Sequence, residues 1–203
     1  MALTVPPPRV PPPAERGGEV RGEPWGGWYE RELGWATAGT SPVRLLTGLQ
    51  FDALVVPAVA GHAALRRVGP TGPVALMGLR MTLLVAPGSA EELPGLLDWL
   101  EWSGVALSLG RLGAGGRITA PPPPGHPAEP GAASWLRPPR PSQKQDEVPV
   151  LPAFSGFGSS RGDAPDLVRL VDAVATECHR ARLARARAGV SPDEPAAQPL
   201  AFS

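Results

Sequence analysis

The sequence predicts an α+β domain, a single two-layer unit in which helices cover a sheet of about five strands. Short runs rich in Val, Leu and Ile recur between residues 51 and 120, and segments with helical spacing lie between them. Pro and Gly, 28 and 25 residues of the 203, concentrate outside those runs, in ends and loops. Such alternation of strands and helices is the pattern of a layered fold. The domain is expected to span 25–188, between a disordered Pro-rich tail at 1–24 and a loose tail at 189–203.

Residues 25–40, "WGGWYERELGWATAGT", hold three of the six Trp and read as a partly ordered lead-in packing onto the core through its rings. Strands are expected at 51–56, 73–77, 81–86, 104–109 and 117–120, with a further edge strand at about 132–136. A helix at 58–68 stops at Gly69-Pro70. Ser89 and Glu92 fit a capping box for the next helix; its regular part is expected from Pro94, with Leu93, Leu96, Leu97 and Leu100 as its core stripe. Trp99 and Trp102 fall off that stripe and are expected to cover its edge. Residues 121–147 form a Pro-rich excursion. The last helix is expected from about 165 to 188, capped by Asp163. Leu167, Leu170, Val171, Val174, Cys178 and Ala181 share its buried face, and Arg182 and Arg185 break it.

Basic and acidic residues number 19 each, so no global charge draws the chain to nucleic acid or membrane; only a local patch could. A lone cysteine, Cys178, excludes an internal disulfide and a Cys-based zinc cage and reads as a core thiol. No run of 18 apolar residues spans a membrane, and the N-terminus lacks the pattern of a secretory signal. The expected location is cytoplasmic, with no cofactor.

Asp52 is the only acid between Glu32 and Glu91 and reads as solvent-facing or turn-bonding. His62, His126 and His179 stand apart and read as solvated. "GRLGAGGRI" (110–118) is Gly-rich but precedes a strand, whereas a phosphate loop delivers its ligand to a helix N-terminus; a tight reversal between strands fits it better. Arg180, Arg182, Arg185 and Arg187 form the densest local charge. They suit a helix C-terminus, where the dipole favours cations, and they equally offer a patch to nucleic acid or an acidic partner.

Four segments resemble, in order, the N-terminal domain of bifunctional DNA primase/polymerases, the prim-pol branch of the archaeo-eukaryotic primase superfamily, and in particular its short actinobacterial members. They are "TGLQFDALVVP" (47–57), "GPVALMGLRMTLLVAPG" (72–88), "GVALSLGRLGAGGRITAPPP" (104–123) and "GAASWLRPP" (131–139). The resemblance implies a prim-pol-like fold over roughly residues 35–155. It also implies that an acidic pair belongs at Val55 and Pro57, a nucleotide-holding His at Met81 and a third acid at or near Ser108. None of these residues can hold Mg²⁺ against phosphates, and no Asp or Glu occurs from Trp102 to Ala128. The expected protein therefore has a degenerate site without catalytic residues or metal. It would bind nucleic acid or nucleotide through Arg80, Arg117, Arg180, Arg182, Arg185 and Arg187.

Two other readings compete. One is a regulatory or scaffold module that binds protein, through the Pro-rich head and exposed Trp, and no nucleic acid. The other is an enzyme with a site built from Asp52, Asp98 or Glu101.

Overall fold

The computed structural model describes residues 25–69, 71–141, 151–153 and 166–189. The head at 1–24, the tail from 190, part of the Pro-rich excursion and Asp163 lie outside them. The described chain is α+β, with four helices and two antiparallel sheets.

At the centre is β3 (Asp52–Pro57), followed by α2 (Ala58–Val68), β4 (Val74–Met77), β5 (Arg80–Val85), α3 (Ser89–Trp99) and β6 (Gly110–Leu112). The strands lie side by side in the order β6-β3-β5-β4, all neighbours antiparallel. This β-α-β-β-α-β order is the split βαβ arrangement. A fifth strand, β8 (Ser134–Arg137), adds to the β4 edge. The last helix, α4 (Leu167–Arg187), lies beside α2 and α3 on one face of the sheet.

Alternation of side chains assigns the two faces. Leu54, Val56, Met81, Leu83, Val85 and Val74 point to the helices and form one core with Leu93, Leu96, Leu170, Val171, Val174 and Cys178. Ala53 and Leu84 point the other way. They meet α1 (Trp25–Leu33) and a small sheet of β1 (Thr37–Ala38), β2 (Arg44–Leu46) and β7 (Arg117–Thr119). There the lead-in is more ordered than its composition suggests. Trp35 packs on Phe51 with ring centroids 4.6 Å apart. The Tyr29 hydroxyl donates to the Pro121 carbonyl at 2.7 Å and accepts from the Trp135 indole at 2.9 Å. Burial raises the Tyr29 pKa, partly offset by the Trp135 hydrogen bond.

Several expectations are corrected. The strand expected at 104–109 forms at 110–112 instead. Leu107 and Leu109 pack into the helix-side core, Arg182 Nη1 holds the Ala106 carbonyl at 2.8 Å, and Pro57 has no amide with which to extend the ladder. The strand expected at 117–120 belongs to the second sheet, so the Gly-rich turn carries the chain from one sheet to the other. Strands β1 and β2 are too short to leave a periodic trace. Asp166, not Asp163, caps α4, its Oδ1 accepting from the Val168 amide at 2.9 Å. Trp99 is exposed and covers no edge, whereas Trp102 is half-buried beside His179 and donates to Asp172. His179 is correspondingly not solvated as expected: its Nδ1 is buried without a partner.

The largest correction is Asp52, which is 0 % exposed. Its Oδ2 accepts the amide of Ala90 at 2.9 Å. No side chain of the local sequence caps α3, whose N-cap is Gly88 at φ 88°. The expected Ser89–Glu92 box is replaced by an acid arriving from β3, and it stabilises the positive end of the helix dipole. The neighbouring carbonyl is held as well. Pro94 lies inside α3 and has no N–H to give to the carbonyl of Ala90, four residues earlier. Arg111 of β6 gives one instead, Nη1 to Ala90 O at 2.6 Å.

A second polar clamp joins α2 to α4. Glu177 Oε1 accepts from Arg67 at 2.9 Å and from Arg180 at 2.8 Å. The Arg67 hydrogen bond, aided by the charges of both arginines and opposed by burial, holds the Glu177 carboxyl below its ordinary pKa. Cys178, next to it, is a core thiol as expected, its pKa pushed up to about 11 chiefly by burial.

Two measurements check these contacts. Asp52→Ala should lower the unfolding free energy by about 1–3 kcal/mol, because it strands a buried amide, while Asp52→Asn keeps an acceptor and should cost less; equal loss in both would remove the capping role. A group with a depressed folded pKa contributes stability above its unfolded pKa and loses it as pH falls through the folded value. The wild type should therefore lose thermal stability on acidification below the ordinary carboxylate range, and Glu177→Gln should lose less over the same interval. Parallel curves for the two proteins would show that the clamp carries no pH dependence.

Candidate nucleic-acid interface

The small sheet and α1 cover only the Phe51 end of the sheet face opposite the helices. At the other end, β3 finishes at Pro57 and β5 begins at Arg80, paired with each other. β4 finishes there at Met77, also opposite Arg80, and β6 begins at Gly110, opposite Val55. By alternation, Val55, Pro57, Arg80, Thr82 and Gly110 share this less covered face.

The four positions implied by the family resemblance are not one group. Val55, half-buried, and Pro57, itself buried, lie on the less covered face, and Ser108 precedes Gly110 by two residues in an extended run whose Leu107 and Leu109 turn to the other side. Met81 is directly opposite Val56 and faces the helices. It is fully buried against Gly61, where a Cβ would fall 2.2 Å from its sulfur. A side chain at 81 therefore cannot serve a ligand held at 55 and 57; its neighbour Arg80 can. The Arg80 guanidinium reaches back across the open face, Nη2 donating to the Val55 carbonyl at 3.3 Å. Gly110 leaves it room: a Cβ there would lie 4.0 Å from that nitrogen.

The six candidate arginines separate likewise. Arg182 is tied to Ala106 in the segment leading to β6. Arg185 lies three residues further along the same helix and is half-buried. Arg182 and Arg185 thus lie on α4, on the helix side of the sheet, and Arg80 on the opposite face, beside Val55. Arg180 is engaged by Glu177. Arg187 is exposed in the last turn of α4. Arg117 is exposed on β7, one residue past the Gly-rich turn and opposite Leu46, which places it toward the other end of β3.

Arg80 meets no acid of its own part of the chain. Residues 53–90 contain no acid, and Asp52, at the far end of β3, is turned to the amide of Ala90, so no acid of β3, α2, β4 or β5 is placed to neutralise Arg80. No side chain caps α2, which starts at the same end, and its dipole adds positive potential there. Among the described residues no group of three or more His, Cys, Asp or Glu could hold a metal ion, and no helix is long and apolar enough to cross a membrane. Of the acids proposed for an alternative active site, Asp52 is spent on α3, and Asp98 accepts from Ser103 at 2.6 Å.

No protein-family model, curated protein or solved structure matches this chain.

The facing of β3 is open to test. Val56→Asp would bury an unpaired charge in the helix-side core and should cost several kcal/mol, on the order of 3 or more. Val55→Asp, half-buried beside Arg80, should remain folded with a much smaller loss in denaturant titration. Equal losses would mean that the 55 face is as closed as the 56 face.

Proposed function

We propose that the protein is a non-catalytic, prim-pol-like domain that binds nucleic acid or nucleotide through the open end of its sheet, with Arg80, Arg182 and Arg185 as phosphate contacts. The observation that carries this reading is Arg80, exposed beside Val55 in a stretch of sequence without an acid, with Arg182 of α4 reaching the segment that leads into β6 from the helix side. Val55 and Pro57 share a face at the end of a central strand. That is the arrangement an acidic pair would need to grip a metal. With Val and Pro in place, the surface keeps attraction for phosphate and has no means of activating it. Arg suits the role because its planar guanidinium pairs with phosphate oxygens in two-pronged fashion.

Affinity for a single-stranded oligonucleotide should fall linearly with salt on logarithmic axes. The Arg80→Gln, Arg182→Gln, Arg185→Gln triple variant should weaken binding across sequences and flatten that slope by roughly two, since each single-strand phosphate contact contributes about 0.7. Its stability should stay within about 1 kcal/mol of wild type, as for surface changes. Absence of wild-type binding at low salt would sink the reading, and an unchanged slope in the triple variant would remove these arginines from it.

A further inference from the structure

The turn between β4 and β5 is two residues long, Gly78 and Leu79, closed by the Met77–Arg80 pair. Gly78 takes φ 55° in the first central position, the place where a tight hairpin of this kind requires glycine. Leu79 at the tip is 86 % exposed, and Met77 beside it 53 %. Val59, in the first turn of α2, is 63 % exposed. It adjoins the tip, because the Ala58 amide donates to the Leu79 carbonyl at 2.8 Å. Three exposed apolar side chains thus form one patch, where scattered single ones would need no explanation. The backbone beneath them is pinned, so little chain entropy remains to be lost when the tip is buried.

The patch borders Arg80, and no acid lies between Asp52 and Glu91 in the sequence that builds it. An occupant must therefore offer flat apolar surface flanked by negative charge. A base step in nucleic acid has that form: ring faces that can be unstacked, with a phosphate on either side. Protein wedges of Leu, Met or Ile entering such steps beside arginines are a known physical solution. Among the described residues, the face next to the tip carries no exposed aromatic ring on which bases could stack; Trp135, across from Ala75 on the same face, is half-buried and gives its indole N–H to Tyr29. Resting on the function proposed above, we infer that Leu79, supported by Met77, is a wedge that enters and unstacks a base step while Arg80 holds the adjacent phosphate.

The test uses the full chain and a short DNA duplex carrying 2-aminopurine beside a central TA step, whose fluorescence rises when the base is unstacked. Saturating wild-type protein should raise it. Leu79→Ala, at an exposed site, should keep the wild-type melting temperature, bind roughly tenfold more weakly for the lost apolar contact, and give no rise at saturation. Arg80→Gln should also bind more weakly yet keep the rise once saturated. Binding without a rise in the wild type, or an undiminished rise with Leu79→Ala, would overturn the wedge and leave the binding function standing. No binding to duplex or single strand at low salt would overturn both. Leu79-dependent self-association in sedimentation, or Leu79-dependent flotation with anionic phospholipid vesicles, without any fluorescence rise, would overturn the wedge in favour of a second copy or a lipid surface.

Discussion

The peptide unit of Ala90 is held from both sides by the sheet. Its N–H is taken by the buried carboxylate of Asp52 on β3, and its C=O by the guanidinium of Arg111 on β6. Those two groups need partners for separate reasons: a helix start without a local cap, and a proline that withholds an amide one turn later. One acid and one arginine on neighbouring strands satisfy both, and they fix where α3 begins. From α3 the chain must return to β6 at the β3 edge, so the irregular segment at 105–109 is drawn along the end of the sheet. There Arg182 of α4 can reach it. The position of the candidate interface follows from a contact at the opposite end of β3.

The two faces of β3 then divide the labour. The face bearing Leu54 and Val56 is sealed by helices, so closely that Gly61 of α2 leaves no space for a side chain over Met81. The face bearing Ala53 is sealed by Tyr29, Trp35 and Phe51, but only for half its length. The uncovered half coincides with an acid-free stretch of sequence, the uncapped start of α2 and the tip of the β4–β5 hairpin. Positive charge, exposed apolar surface and backbone dipole occur together there, and among the described residues Arg80 is bound only to a backbone carbonyl. Where an acid does occur on the helix side, as at Glu177, its carboxylate is held by two arginines, and the cluster keeps one net positive charge.

Much of the architecture was readable from residue patterns. The apolar stripe Leu167–Leu170–Val171–Val174–Cys178 is buried as its spacing requires, and the breakdown of that stripe at Arg182 marks where the helix meets solvent. The helix at 58–68 and the strands around 52–57, 74–77 and 80–85 follow from apolar runs bounded by Gly and Pro. The split between faces was less accessible. Met81 was grouped with Val55 and Pro57 by resemblance of segments, yet the pairing of Val56 with Met81 turns it to the other side. A shift of a single residue in a strand exchanges faces, so the adjacent Arg80, and not Met81, shares the face of Val55 and Pro57.

The sequence by itself determined the fold class, the order of the main elements, the absence of acids from residues 53–90 and the candidate cations, because periodicity, composition and the chemistry of single residues are local properties. Tertiary structure alone decided that Asp52 is a buried cap and not a solvent-facing acid, that Arg80 shares the face of Val55 while Arg182 holds Ala106 and Arg180 holds Glu177, and that Leu79 stands out from a pinned turn. Each of these depends on which distant backbone groups lack a partner and which side chain reaches them, as Asp52 reaches Ala90 across 38 positions and Arg182 reaches Ala106 across 76. Such pairings are settled by the closing of the sheet and the packing of helices on it, and they leave no periodic trace along the chain.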